Sequence, residues 1–92
     1  MIIRIFSEGQ YELPDTAVAG LEQLDEQVQA AIDANEDQRF NDLYGRLLDH
    51  IRHAGKPLAA DDLRPSDRIA LPPDTSLAEA AREFHGHGLL PD

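Results

Sequence analysis

Cysteine is absent from the 92 residues, which excludes disulfides and thiolate metal centres. No apolar run approaches the roughly 20 residues that a helix needs to cross a bilayer. Met1 leads straight into an Ile-rich stretch, with no basic segment before it and no small-residue cleavage site after it. No signal peptide is therefore expected, and the chain reads as cytoplasmic. Bases are scarce: eight Lys and Arg stand against eighteen Asp and Glu, a formal charge of −10. That balance argues against nucleic acid and against electrostatic docking on anionic lipid. Reaction motifs are missing too. Ser7, Ser66 and Ser76 are the only serines, and none lies in G-x-S-x-G. Gly55-Lys56 falls short of a phosphate loop, because His50 stands where its first Gly belongs and Pro57 where Ser or Thr belongs. No catalytic residue and no cofactor is expected, and the length implies a single domain over residues 1–92.

The scarcity of bases is local. Residues 1–37 hold nine acids and one base, Arg4, for a net of −8. Residues 38–92 hold nine acids and seven bases, for a net of −2. Like charges at helical spacing repel by a few tenths of a kcal/mol per pair. Packing or a basic partner has to offset that. Two readings of the acidic stretch stay open: a solvated face that keeps the protein soluble, and a docking face for a basic partner. Its candidate residues are Glu22, Asp25, Glu26 and Asp33.

What the sequence does contain is clear periodicity. Ile3 and Ile5 alternate with Arg4 in a β-forming run, and Tyr11-Glu12-Leu13 resumes the alternation after Ser7-Glu8-Gly9-Gln10. This predicts a β-hairpin, with Gly9 supplying the positive φ of its turn. Asp15 is a candidate N-cap. Beyond it Val18, Leu21, Leu24, Val28, Ala31 and Ile32 recur at steps of three and four, one stripe of a helix of about five turns. A second helix is expected from Asp37 to Ala54, with Phe40, Leu43, Tyr44, Leu47, Leu48 and Ile51 on its apolar face and Gly55 in the left-handed position after it. Close packing is a candidate explanation for Gly20 and Gly45 inside the helices. The turn-rich connector 57–75 carries a third short strand at Arg68–Leu71. Ser76-Leu77-Ala78-Glu79 is a capping box opening a last helix of about ten residues, with Leu77, Ala80, Ala81 and Phe84 on its buried side. Gly86 and Gly88 end that helix, and Leu89-Leu90-Pro91 folds back on the core. The order is ββααβα: an α+β domain in which a helical hairpin and a C-terminal helix cover a β-hairpin and a third strand. The broad apolar face of the second helix leaves a homodimer open.

Histidines are the strongest metal candidates. His50 and His53 share a helix face, and His85 and His87 flank Gly86. The two pairs converge only if the last helix packs on the C-terminal end of the second. The plainer reading is surface and helix-end histidines. Tyr11 reads either as an exposed recognition aromatic or as a sheet residue with a packed ring and a wet hydroxyl. Arg64, Arg68 and Arg82 are partner contacts or simple counterions to Asp61, Asp62, Asp67 and Glu83.

Three stretches carry a family resemblance. MIIRIFSEGQYEL pairs an Ile-rich strand containing Arg with a Glu-Gly-Gln-Tyr turn. LRPSDRIALPPDTSLAEA combines Pro-Ser-Asp, a Pro-Asp turn and a Ser-Leu-x-Glu helix start, and GLLPD closes the chain. In combination and order they resemble the PspA-associated domain family, PspAA, of actinobacteria and archaea, over essentially the whole length. Gly86-His87-Gly88 departs from it, since an acidic residue is expected before the final Gly. The resemblance implies a small non-catalytic partner of PspA in a phage-shock-type envelope stress response. PspA in turn resembles the ESCRT-type coiled-coil proteins that assemble on the inner face of stressed membranes. The family supplies no catalytic residues to carry over.

Overall fold

The computed structural model describes residues 1–84 and 90–91. In β1 (Ile2–Ile5) the expected alternation holds: Ile3 and Ile5 are fully buried and Arg4 between them is exposed. β2 (Gly9–Glu12) pairs with it antiparallel, Ile5 opposite Gly9 and Ile2 opposite Glu12. The connecting turn closes with the Glu8 amide donating to the Ile5 carbonyl at 2.9 Å. Positive φ falls on Ser7 (69°) as well as Gly9 (139°), so the turn places a non-glycine residue in the left-handed region too. The second strand begins two residues before the expected Tyr11, and Leu13 lies beyond its end, buried, with its amide on the Met1 carbonyl.

α1 (Asp15–Asp33) starts after Pro14, which is the N-cap; Asp15 is already inside the first turn and its side chain makes no cap hydrogen bond. This corrects the expected cap by one residue. The extended backbone of Pro14 (φ −68°, ψ 153°) sets the boundary, and a carboxylate at Asp15 still favours the positive end of the helix dipole. α2 (Asp37–Ala54) has the expected bounds, and all six of its expected apolar residues are buried. The face that left a homodimer open is therefore consumed inside one chain. Phe40 and Tyr44 stack with ring centroids 5.4 Å apart, and the Tyr44 hydroxyl donates to the Leu71 carbonyl at 2.6 Å. Gly55 is extended (φ −85°, ψ 157°), not left-handed. Its need is space: a Cβ there would meet the Ile51 carbonyl oxygen at 2.5 Å and Tyr11 Cβ at 3.1 Å. Gly20 likewise makes room, for the His50 ring, whereas Gly45 faces open space and packing does not explain it.

The expected third strand is β4 (Arg68–Ala70), and it runs parallel to β1. Two further strands widen the sheet: β3 (Lys56–Pro57) beside β2, and β5 (Leu90–Pro91) beside β4, in the order β3-β2-β1-β4-β5. Each edge strand contains a proline, which has no amide to offer a further strand. α3 (Leu77–Phe84) opens with the expected capping box: Glu79 accepts from the Ser76 amide at 3.0 Å, and the Glu79 amide donates to Ser76 Oγ at 3.2 Å. Leu77 and Ala80 are buried but Ala81 is exposed, so the buried side of α3 is narrower than expected. The expectations for Gly86, Gly88 and Leu89 lie outside the described residues.

The result is an α+β domain with one core, in which Ile3, Ile5, Leu13 and Ala70 of the sheet side meet the apolar faces of α1, α2 and α3. The helices occupy the inner face of the sheet. β3 and β4 both run parallel to β1 but on opposite sides of the β1–β2 pair. The chain between them, residues 58–67, therefore crosses the outer face of the sheet as a strap. No helix among the described residues is long and apolar enough to cross a membrane.

Candidate functional site

On α1 the spacing of four and seven puts Glu22, Glu26 and Asp33 on one stripe, and all three are exposed. Gln29 lies on the same stripe and donates to Asp33 at 2.9 Å. Asp25 sits on the flank, half-buried, and its charge reaches Tyr44. Burial is the main reason that the Tyr44 phenol titrates far above the ordinary tyrosine range, with Asp25 adding to it. No base is present on α1. Glu22, Glu26 and Asp33 make no ion pair among the described residues. The four candidate residues thus form a stripe of three with the fourth turned toward α2.

Elsewhere Glu8, Glu12, Asp49, Asp62 and Asp67 are committed to partners. Glu8, in the hairpin turn, accepts from Arg52 Nε at 2.9 Å, Arg52 Nη2 at 2.7 Å and the Tyr11 hydroxyl at 2.8 Å. That bidentate guanidinium grip holds the Glu8 carboxyl below the usual carboxylate range. Arg52 also reaches Asp49 at 3.1 Å. Tyr11 is a half-buried sheet residue, as the second reading expected, and its hydroxyl donates to Glu8 in an exposed hydrogen bond that raises its phenol pKa. Arg64 pairs with Asp62 and reaches Glu12 Oε2 at 3.2 Å. Asp67 is no counterion: its carboxylate takes the Ile2 amide at 2.8 Å, while its own amide donates to the Ile2 carbonyl at 2.7 Å.

These contacts bring together two stretches that are far apart in the chain. Gln10 Nε2 donates to Ser66 Oγ at 2.7 Å and to the Arg64 carbonyl at 3.1 Å, so the Glu-Gly-Gln-Tyr turn and the Pro-Ser-Asp segment form one polar cluster on the outer face. The PspA-associated protein family model, PspAA, matches residues 1–92. The chain belongs to the PspAA family. No curated protein and no solved structure matches it.

In this PspAA domain the two described histidines, His50 and His53, have different surroundings. His50 turns its ring onto Gly20, and its Nε2–H donates to the Ala17 carbonyl at 2.8 Å, which ties α2 to α1. His53 is exposed, and His85 and His87 lie outside the described residues. Among the described residues no group of three or more His, Cys, Asp or Glu could hold a metal ion. Sequence reasoning missed a groove of about 610 Å³ between the strap and the hairpin turn, with Arg4 and Gln10 from the sheet and Leu58, Asp62, Leu63 and Arg64 of the strap along its wall. The exposed Arg4 amid the buried isoleucines was the available signal for the open sheet face. The strap that makes it a groove depends on where β3 and β4 pair, and no local pattern carries that.

Proposed function

We propose that this domain is a non-catalytic adaptor or regulator that binds a PspA-like coiled-coil protein in an envelope stress response. It acts in the cytoplasm and reaches the inner membrane face through that partner. The match of the PspA-associated family over residues 1–92 carries this reading. The acidic stripe of α1 supports a docking mode: a basic stretch of the partner lies along Glu22, Asp25, Glu26 and Asp33. A base-free helix presenting three exposed carboxylates attracts such a stretch, and the attraction weakens with salt because exposed charges are screened over about 8 Å at physiological ionic strength. Co-purification with the PspA-like protein of the same organism tests it. Reversing all four charges (Glu22→Lys, Asp25→Lys, Glu26→Lys, Asp33→Lys) is expected to abolish recovery of the partner while the melting curve of the domain persists. Undiminished recovery removes the acidic face from the interface.

A further inference from the structure

The outer face of the sheet offers the opposite chemistry to α1. Arg4 is exposed at the middle of β1, between Gln10 of β2 and Ile69 of β4. It makes no hydrogen bond or ion pair among the described residues. The carboxylates that share its groove are each held by another arginine, Glu8 by Arg52 and Asp62 by Arg64. The uncommitted charge in the groove is therefore positive, in a chain whose net charge is −10. On the groove wall Leu63 is 93% exposed, with only polar neighbours in sequence. A leucine left in water at the lip of a groove with a cation on its floor asks for an apolar side chain beside a carboxylate.

We propose that this groove is a second docking site for the PspA-like partner and takes a segment that sets a carboxylate on Arg4 and an apolar side chain on Leu63. The proposal rests on the partner named above and adds a second contact of opposite charge. With helices on the inner face of the sheet and the groove on the outer face, one domain engages two segments: a basic one on α1 and an acidic, apolar one under the strap. Recognition here runs through side chains, because the proline in each edge strand closes the sheet to strand addition.

Two measurements test this. In the first, overlapping synthetic peptides covering the PspA-like protein of the same organism are immobilised and probed with the intact domain. Peptides carrying a carboxylate within one helical turn of a Leu, Ile or Met are expected to bind wild type and to lose Arg4→Glu; retention of Arg4→Glu by every such peptide overturns the proposal. In the second, calorimetry with the intact partner compares wild type, Arg4→Lys, Arg4→Glu and Leu63→Ser. Arg4→Glu is expected to lower affinity about tenfold, and Leu63→Ser by several-fold, with Arg4→Lys close to wild type. Leu63→Ser changes a side chain that packs on almost nothing, so it tests the groove even if Arg4→Glu disturbs the sheet. Wild-type affinity in both Arg4→Glu and Leu63→Ser overturns the groove and leaves the partner assignment standing. No binding by wild type overturns both.

Discussion

The two faces of the sheet are held by different physics. On the inner face Ile3, Ile5 and Ala70 are fully buried against helices, and most of what stabilises them is apolar area removed from water. Each gains from being apolar and of about the right size, whichever helix residue it meets. On the outer face Gln10, Glu12 and Ile2 meet a strap, and the contacts are specific hydrogen bonds and an ion pair to Ser66, Arg64 and Asp67, while Arg4 between them makes none among the described residues. Each such bond is worth about 0.5–1.5 kcal/mol net and needs its own partner in place. The inner face therefore determines whether the domain folds, and the outer face determines where the strap lies and what the groove presents.

The largest expected effect breaks the inner face. Ile3→Ala removes a fully buried side chain from the central strand and leaves a cavity against the helices. The cost is about 3–4 kcal/mol, set against a total stability of roughly 5–14 kcal/mol for a chain this size. Urea denaturation is expected to show a midpoint shifted far down with an unchanged slope. A loss below about 1 kcal/mol would place Ile3 in a site that collapses around the deletion, contrary to a core closed on both sides.

A smaller effect isolates the outer face. Gln10→Ala removes two bonds to the strap, one to Ser66 Oγ and one to the Arg64 carbonyl, at a cost of about 1–2 kcal/mol. The sharper readout is local. Amide exchange is expected to accelerate in residues 58–67 while Ile3, Ile5 and the core of α2 keep their protection. Uniform acceleration through the sheet would mean that strap and core open as one unit, and the contrast between the two faces would not hold.

The same contrast explains what was legible in the sequence. Burial follows period, so the apolar stripes of β1, α1 and α2 were readable, as were the bounds of α2 and the capping box at Ser76 and Glu79. Partner-specific contacts do not follow period. The two-residue strands Lys56–Pro57 and Leu90–Pro91 are too short to show any alternation and exist only through pairing with residues far along the chain. The parallel pairing of β4 with β1, the Gln10–Ser66 bond and the space that Gly55 leaves for the Ile51 carbonyl are long-range or steric facts with no local signature. The four acidic candidates were readable as a base-free run. That Asp25 leaves the stripe and turns toward Tyr44 follows only from where α2 packs.

The smallest expected effect probes the seam between the two regions, where the hairpin turn is tied to the end of α2. Glu8 receives Arg52 through two bonds and Tyr11 through one, yet its side chain is 29% exposed, so solvent screens the pair and Glu8→Gln is expected to cost under about 1 kcal/mol at pH 7. The pH dependence has a definite sign. The folded carboxyl is held below its ordinary value of 4.5, chiefly by Arg52, so its stabilisation is fully present above that value and is lost as pH falls through the lower, folded one. The gap between wild type and Glu8→Gln in urea midpoints should therefore stay constant from pH 7 down to the ordinary glutamate range and close below it, and it should shrink in high salt. A second readout does not depend on stability. Glu8 raises the Tyr11 phenol above its ordinary value of 10.0, first by accepting its hydrogen bond. In Glu8→Gln the lower-titrating of the two tyrosines is expected to move down toward that value, while the buried Tyr44 stays where it was. If the Tyr11 titration does not move, the turn does not bond Tyr11 as the structure has it, and the seam is held by the Glu8–Arg52 pair without it.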